Sequence, residues 1–285
     1  APSVPMDDAS QHVWPEMCTL AKFTVPICAT HLLELSLSVV SVLSLGHLGT
    51  VELASASLAG ITANVTGFSV ISGLVSALDT LLPASYTRQP HLMGLWTQRV
   101  GLMVFAVLPL IFVLWLNAER GLILLGQDPD IAYNARQFLM VLSFGLPGVA
   151  IFELCRRFLQ AQGMMHAPTV VLIIVSPLNA VANFFLVWGP ERYRIGFLGA
   201  PMASALSMWL MAALCAVQCA VACRDTWGGF SRDVWDPAAL RTCVSLGFAG
   251  LISLASEWWA WEIVGLVTAA LGTRALASQL SLIHI

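Results

Sequence analysis

The chain has 285 residues, of which 58% are hydrophobic and only 10% are charged. A soluble globular domain carries about 25% charged residues, so the composition excludes a soluble protein and predicts an all-α integral membrane protein whose solvent is the lipid bilayer. The net charge of −3 argues against a nucleic-acid partner, which would require a basic face.

A polar segment, residues 1–19, precedes the first apolar run and does not resemble a signal peptide. A helix needs about 20 apolar residues to cross a bilayer. An eighth apolar run opens at Ala275, and since a helix cannot end inside a bilayer with its last carbonyls unpaired, we expect further sequence after Ile285. Before it, seven spans are predicted, at residues 23–45, 53–82, 100–117, 138–155, 169–188, 196–223 and 243–271.

Almost every predicted span contains a residue that interrupts helices. Proline removes a backbone hydrogen bond and kinks a helix, and in a bilayer the freed groups need a neighbouring helix or a water-lined cavity. Glycine and proline are common in membrane helices generally, yet interruptions in seven spans together favour a protein that changes conformation. They are Pro26, Gly67 with Gly73, Pro109, Pro147 between Gly145 and Gly148, Pro177, Pro201, and Gly247 with Gly250.

Basic residues are distributed unequally between the two ends of the predicted spans. The N-terminal side holds eight and the opposite side five, and the first loop of the opposite side, residues 46–52, holds none. Because cytoplasmic loops carry the excess of Lys and Arg, the N-terminus and residues 156–157 and 224–241 are predicted to be cytoplasmic. The pattern leaves open a plasma membrane or a vacuolar or other internal membrane.

Four carboxylates fall within or at the end of predicted spans, where a charge costs about 2.5–3.5 kcal/mol on insertion scales. They are Glu34, Asp79, Glu257 and Glu262. A helix separates the last two by about 140°, so one can face a central cavity while the other meets a neighbouring helix. Each acid has a structural alternative: a hydrogen bond within the bundle for the span-seven acids, a bond to Ser or Thr for Glu34, and capping or loop anchoring for Asp79.

Other polar and aromatic residues in the spans suggest binding or helix association. Trp258, Trp259 and Trp261 offer flat faces to an organic cation, although the same residues could form an interfacial aromatic belt. Asn179 and Asn183, spaced i, i+4, share a helix face and are predicted to hydrogen-bond to another helix.

No catalytic or metal-binding constellation stands out in the sequence. It contains no HExxH, GxSxG or GxxxxGK[ST] motif. Cys215, Cys219 and Cys223 form one helical stripe, which favours packing over metal binding, and His31 is predicted to be a packed core residue. We therefore expect neither enzymatic activity nor a cofactor.

Four motifs in order give the chain a resemblance to the multidrug and toxic compound extrusion (MATE) family, eukaryotic branch. Each motif is weak alone, but all four stand at matching spans, and the resemblance runs from about residue 20 to residue 279. The motifs are GHLG at residues 46–49, GLVSALDTL at residues 73–81, RFLQAQ at residues 157–162 and EWWAWE at residues 257–262.

This resemblance implies twelve spans in two six-helix lobes around a central cavity, related as parallel repeats. Residues 20–223 would form the first lobe, residues 224–242 a cytoplasmic linker, and residues 243–285 the incomplete start of the second lobe. The family exports small organic molecules, typically organic cations, in exchange for H⁺ or Na⁺. Its eukaryotic members implicate span-seven acids in proton coupling, which correspond here to Glu257 and Glu262. Apart from the resemblance, Glu34, Trp258 and Trp261 are binding candidates because of their chemistry within the spans.

The resemblance also has departures and open ends. Val39 occupies the place of the span-one Asp of many prokaryotic members, so that proton site is not supported. We expect the whole protein to be monomeric and this fragment alone to be inactive. Structural or gating roles are expected for Gly46, Asp79, Pro83, Pro147, Asn179 and Asn183.

Two other functions stay open as alternatives. A lipid or glycolipid flippase of the same broad fold would need a basic cavity for phosphate groups, and Arg and Lys are absent from the interiors of the predicted spans. A membrane receptor or an intramembrane enzyme is disfavoured by the missing catalytic constellation and by the many helix interruptions.

Overall fold

The computed structural model describes residues 6–192 and 194–270, with side chains described from residue 16 to residue 260 except at positions 193 and 258. Within these ranges the chain is helical throughout its regular structure and contains no β-strand. Among the described residues, six helices are long and apolar enough to cross a membrane, and there are seven if one bent pair of helices counts as a single span. The all-α membrane fold predicted from composition is therefore confirmed, whereas the predicted eighth span lies outside the described residues.

The first span is the long helix α1 (Met6–Gly46), and it ends in a tight turn. The Leu48 amide donates to the Leu45 carbonyl at 2.9 Å, and the next helix begins at Thr50. Gly46 is thus the last helical residue before the turn that the GHLG motif predicted. Pro26 does not interrupt this helix; its carbonyl accepts hydrogen bonds from Thr30 within α1 and from Thr169 on another helix.

The second span consists of α2 (Thr50–Ala63), α3 (Ser69–Val75) and α4 (Ala77–Arg88), joined by a π-helical segment, Asn64–Phe68. The irregularity has a packing cause. The fully buried Trp115 lies so close to Gly67 that a Cβ there would be 2.5 Å from the indole ring. Thr66 accepts a hydrogen bond from the Trp115 indole nitrogen at 2.9 Å. The predicted interruption at Gly67 is therefore where a tryptophan inserts against the backbone.

The third span is α5 (Met93–Leu116), and the short helix α6 (Ala118–Leu124) follows it. Arg99, placed just outside the span by the sequence, lies inside α5 and is only 6% exposed. Its guanidinium donates to the Asp233 carbonyl at 2.8 Å and lies 4.7 Å from the Trp96 ring centroid. Burial of this charge depends on those two partners, since an unpaired charge would cost several kcal/mol.

The fourth span is bent by 52° between α7 (Pro129–Ser143) and α8 (Leu146–Gln160). Pro147 stands in the first turn of α8, where its missing N–H costs least. The Phe144 carbonyl at the bend accepts a hydrogen bond from the Trp209 indole nitrogen at 2.8 Å. A neighbouring helix thus satisfies the broken backbone, as a bilayer requires.

The remaining helices are α9 (His166–Asn183), α10 (Gly199–Ala222), α11 (Arg224–Trp227) and α12 (Pro237–Ala270). Hydroxyl pairs link α1 to this part of the bundle, with Thr30 bonded to Thr169 at 2.8 Å and Ser36 bonded to Ser176 at 2.7 Å. Such interhelical hydrogen bonds associate helices where apolar burial gives no preference over lipid.

The prediction that nearly every span is interrupted is wrong for spans one, three, five and seven at the residues named. Helix runs through Pro109 in α5, through Pro177 in α9 and through Gly247 and Gly250 in α12. A proline frees one carbonyl without ending a helix when neighbours support it. The glycines of α12 serve close packing instead: a Cβ on Gly250 would lie 2.7 Å from the carbonyl oxygen of Gly73 on α3.

A candidate site of paired charges between three helices

Glu34 of α1 lies beside a cation rather than a hydroxyl. Its Oε1 accepts from the Arg156 guanidinium at 2.8 Å, and its Oε2 lies 3.2 Å from the Nδ1 of His31. The predicted alternative, a bond to Ser or Thr across the bundle, is wrong for Glu34. The hydroxyls that cross from α1 to α9 belong to Thr30 and Ser36, which pair with other hydroxyls. His31 is largely exposed, with 62% of its side chain accessible, so its predicted place in a packed core is also wrong.

Arg156 and Arg157 belong to the last turns of α8, where their side chains are 12% and 11% exposed. Glu153, one turn earlier, binds both: its Oε2 lies 2.9 Å from Nη2 of Arg156 and contacts Nη1 of Arg157. The sequence placed both arginines in a loop beyond span four, and the structure corrects this because α8 continues to Gln160. The helix of span four therefore contains arginine, so the predicted absence of Arg from span interiors is wrong.

Asp79 forms an ion pair with the second of these arginines. Its carboxylate lies 3.2 Å from Nε of Arg157, and 58% of the side chain is exposed. It stands in the first turn of α4, where no side chain caps the helix. The capping role expected for Asp79 is therefore replaced by an ion pair that ties α4 to α8.

These five groups form one network, which we call the charge cluster: Glu34 on α1, Glu153, Arg156 and Arg157 on α8, and Asp79 on α4. Three carboxylates face two guanidiniums, so the formal balance is −1, and a proton on the neighbouring His31 would bring it to zero. Buried charges of this kind are tolerated only when paired, because desolvation costs several kcal/mol per ion. Ion pairs therefore link α1 and α4 to α8.

The α12 acids have a different environment. Glu257 is exposed, and it forms no ion pair or hydrogen bond with any side chain that the structure describes. Trp259 beside it is 49% exposed. Glu262 lies within α12, but its side chain and those of Trp258 and Trp261 lie outside the described residues. Among the described residues, Glu257 is thus a carboxylate of span seven without a compensating charge.

Helix α12 approaches α3 closely at a line of small residues, which we call the glycine seam: Gly73, Gly247 and Gly250. A Cβ on Gly73 would lie 2.6 Å from the Leu251 Cα, and one on Gly247 would lie 3.2 Å from the Leu74 carbonyl oxygen. Only glycine allows two backbones to approach this closely. The glycine seam therefore joins α12, which carries Glu257, to α3 of the second span. Asp79 lies on the next helix of that span, α4.

The remaining predicted residues are also placed by the structure. Asn179 and Asn183 are buried, and the Asn179 amide donates to the Ser207 hydroxyl of α10 at 2.9 Å, while the Asn183 amide donates to the Asn179 side-chain oxygen at 3.1 Å. They therefore lie at a helix–helix contact. Pro83 lies inside α4 without ending it.

The cysteine stripe packs against α8. Cys215 is fully buried, and the Cys219 thiol donates to the Cys155 carbonyl at 3.7 Å. In the part of the chain that the structure describes, no three His, Cys, Asp or Glu side chains are grouped in a way that could hold a metal ion.

Glu153 adjoins Arg156 and Arg157 in the sequence and pairs with both, but sequence reasoning did not show that Glu34 and Asp79 bind the same two arginines. Glu153, Arg156 and Arg157 were each visible, but the loop assignment removed the arginines from consideration. A signal was present: Glu153 precedes them at i, i+3 and i, i+4, the spacing at which a helix pairs opposite charges. That spacing favours continuation of α8 through the arginines rather than a helix end at Cys155.

Comparisons with known proteins point in one direction. A family model described as MatE matches residues 26–185. The chain is 40% identical over 282 residues to an uncharacterized transporter of Schizosaccharomyces pombe, covering 97% of this chain and 51% of that protein. It is 32% identical over 274 residues to multidrug and toxin extrusion protein 2 of Mus musculus, covering 93% of this chain and 47% of that protein.

Two solved structures of transporters superpose on the helices of this chain. The eukaryotic MATE transporter AtDTX14 superposes with a TM-score of 0.83 at 27% identity, over 90% of this chain and 56% of that one. The Vibrio cholerae MATE transporter VcmN in its bent form superposes with a TM-score of 0.78 at 18% identity, over 91% of this chain and 58% of that one, a likeness of fold alone. The chain spans about half the length of the curated relatives it matches.

Proposed function

Because the chain belongs to the multidrug and toxic compound extrusion family, we propose that the whole protein exports small organic molecules, above all organic cations, in exchange for H⁺. The single observation that carries the proposal is Glu257, an exposed carboxylate on a membrane helix with no partner among the described residues. A carboxylate at membrane depth is costly, so an unpaired one is a natural site for a proton or an organic cation. Na⁺ is the alternative coupling ion.

The proposed coupling rests on exclusion at one group. An external proton neutralises Glu257 or Glu262, which removes the charge that held the cation, and the cation leaves. The lobes then change orientation, and loss of the proton inside restores the site. Since the carboxylate binds either H⁺ or cation and never both, the two fluxes are linked. Aromatic faces such as that of Trp259 would stabilise a bound organic cation.

The glycine seam gives this change a path into the first lobe. Protonation of Glu257 alters the preferred position of α12, and α12 contacts α3 backbone to backbone at Gly73 and Gly250. Such close contacts transmit displacement because packed interfaces do not deform continuously. Helix α12 is continuous at Gly247 and Gly250, so the coupling acts through the position of the whole helix and not through a helix break.

The charge cluster has a supporting role in this proposal. Glu34 is bound to Arg156, so its charge is already compensated and it is a weaker candidate for proton coupling than Glu257. A flippase would need free cationic groups for phosphate. Arg156 and Arg157 do not supply them, because Glu34, Glu153 and Asp79 occupy their guanidinium groups.

Vesicle flux by the full-length protein tests the proposal. Uptake of a fluorescent organic cation should follow an imposed pH gradient and not a Na⁺ gradient. Glu257→Gln keeps size and hydrogen bonding but fixes the neutral state, so proton-driven flux should fall by about tenfold or more if the coupling step is lost. Glu262→Gln measures the second acid, and Glu34→Gln is the matched control, with a smaller expected loss. Near wild-type flux from both single variants and from their double variant, at normal surface expression, would overturn carboxylate coupling on α12.

A further inference from the structure

Three of the cysteine thiols that the structure describes meet where α8 packs against α10. The Cys155 thiol of α8 lies within hydrogen-bonding distance of the thiols of Cys215 and Cys219, which are one turn apart on α10. The Cys219 sulfur also lies 3.7 Å from the Cys155 carbonyl oxygen, although the two residues are 64 positions apart in the chain. The proposed transport mechanism uses none of these groups.

The backbones of α8 and α10 approach each other closely beside these thiols. A Cβ added to Gly148 would lie 3.0 Å from backbone atoms of Met208. Cys155 and Cys215 each follow those residues by seven positions, about two turns of either helix. Since later residues of α8 meet later residues of α10, the two helices run in the same direction and stay close. A disulfide requires Cα atoms about 4.4–6.8 Å apart, and thiols in contact across closely packed helices favour that spacing.

The exposure of the three thiols selects one pair. Cys215 is fully buried, whereas Cys155 and Cys219 are each partly exposed. An oxidant must reach a thiol before that thiol can react. Cys219 lies one turn before Ala222, the last residue of α10, at the end of the bundle for which the basic residues predict a cytoplasmic location. Disulfides of that compartment are transient, because the cellular thiol pool reduces them again.

We propose that Cys155 and Cys219 form a reversible disulfide when the protein meets a hydroperoxide, such as hydrogen peroxide. The Cys219 sulfur attacks the O–O bond, which breaks, so that Cys219 becomes a sulfenic acid and the rest of the hydroperoxide leaves as an alcohol or as water. The Cys155 sulfur then attacks the Cys219 sulfur. The S–S bond forms, the S–O bond breaks, and the sulfenic hydroxyl leaves as water with the Cys155 thiol proton. Two electrons pass from the two thiols to the hydroperoxide.

The disulfide ties span four to span six beside the charge cluster. Cys155 directly precedes Arg156, whose guanidinium binds Glu34 of α1. Oxidation therefore fixes the end of α8 that carries the cluster against α10, and it opposes relative movement of these two spans. A thiol reductant removes the restraint without any other change in the chain.

Cleavage of the chain between the two cysteines tests the proposal without a transport assay. The full-length protein receives a protease recognition site after Glu191, in the loop between α9 and α10, so that cleavage separates Cys155 from Cys219. Purified protein in mild detergent is treated with hydrogen peroxide, its free thiols are blocked with N-ethylmaleimide, and the cleaved chain is run on a denaturing gel with and without dithiothreitol. Cys155→Ala and Cys219→Ala each remove one partner, and Cys215→Ala is the matched control from the same group of thiols. Size-exclusion profiles of each variant verify folding.

Peroxide should make the two fragments of wild type migrate as one linked band, and dithiothreitol should separate them. Cys215→Ala should behave as wild type, and the linked band should be lost in Cys155→Ala and in Cys219→Ala. Separate fragments from oxidised wild type would overturn the proposal. A linked band that survives the loss of Cys155 or of Cys219 would overturn it too, and so would loss of that band in Cys215→Ala, because the fully buried thiol would then be needed for the bond.

Discussion

Neutralising Glu153 is the sharpest test of the charge cluster. Glu153→Gln keeps the side-chain shape but removes the one carboxylate that contacts both Arg156 and Arg157. The side chains of the two arginines are only 12% and 11% exposed, so their charges cannot be compensated by water. Each arginine keeps one other carboxylate, Glu34 or Asp79, so the loss is that of two charge-assisted hydrogen bonds, at about 1.5–3 kcal/mol each. Asp79→Asn is the matched comparison, because Asp79 is 58% exposed and a pair of that kind contributes about 1 kcal/mol or less.

The assay is thermal unfolding of the full-length protein in mild detergent, measured at one heating rate because unfolding of such proteins is often irreversible. With roughly 2–4 °C per kcal/mol for a domain of about 150–250 residues, Glu153→Gln should lower Tm by about 6 °C or more and Asp79→Asn by about 4 °C or less. The double variant Glu153→Gln with Arg157→Met should recover part of the loss, since it leaves Glu34 and Arg156 as a balanced pair. Equal shifts in the two single variants, or no recovery in the double variant, would refute the cluster as a buried electrostatic tie.

Three further outcomes follow from the same structure. In plasma-membrane-targeted protein lacking native cysteines, Glu191→Cys should react with an impermeant thiol reagent from outside intact cells, because the distribution of basic residues predicts that this loop lies opposite the cytoplasm. Labelling only after permeabilisation would reverse the predicted topology. Gly250→Val should lower both Tm and flux, since the added valine side chain would collide with the α3 backbone. Gly121→Val should change neither, because no atom lies within 4 Å of a Cβ added there. Equal effects of the two substitutions would refute a role for the glycine seam. Trp209→Phe should destabilise the protein by about 1–3 kcal/mol by leaving the Phe144 carbonyl unpaired at the bend, and Trp235→Phe, at a 66% exposed position, should have little effect on thermal unfolding.

Glu34 illustrates how a site can be recognised and its partner mistaken. Its depth in an apolar run marked it as costly and therefore of interest. The arginine that binds it is 122 positions later in the chain. No local pattern connects two such residues, because the pairing depends on how α1 and α8 lie against each other.

Composition and apolar run length determined the fold class and the number of spans. A bilayer admits few spanning structures, so long apolar runs with few charges specify membrane helices almost directly. The four motifs likewise identified the family, because each is local in the chain. The sequence shows the positions of proline and glycine but not their effect on the helices. Pro147 lies at a 52° bend, whereas Gly250 lies in an unbroken helix.

Only the tertiary structure decided which interruptions bend the chain and which charges are compensated. Three contacts depend on which helices are neighbours in space, which the sequence does not show. They are the insertion of Trp115 beside Gly67, the hydrogen bond from Trp209 to the Phe144 carbonyl, and the binding of two arginines by Glu153. A freed carbonyl or a buried charge is tolerated when another helix supplies the missing partner. Sequence therefore locates the costly groups, and the packing of helices determines how each cost is met.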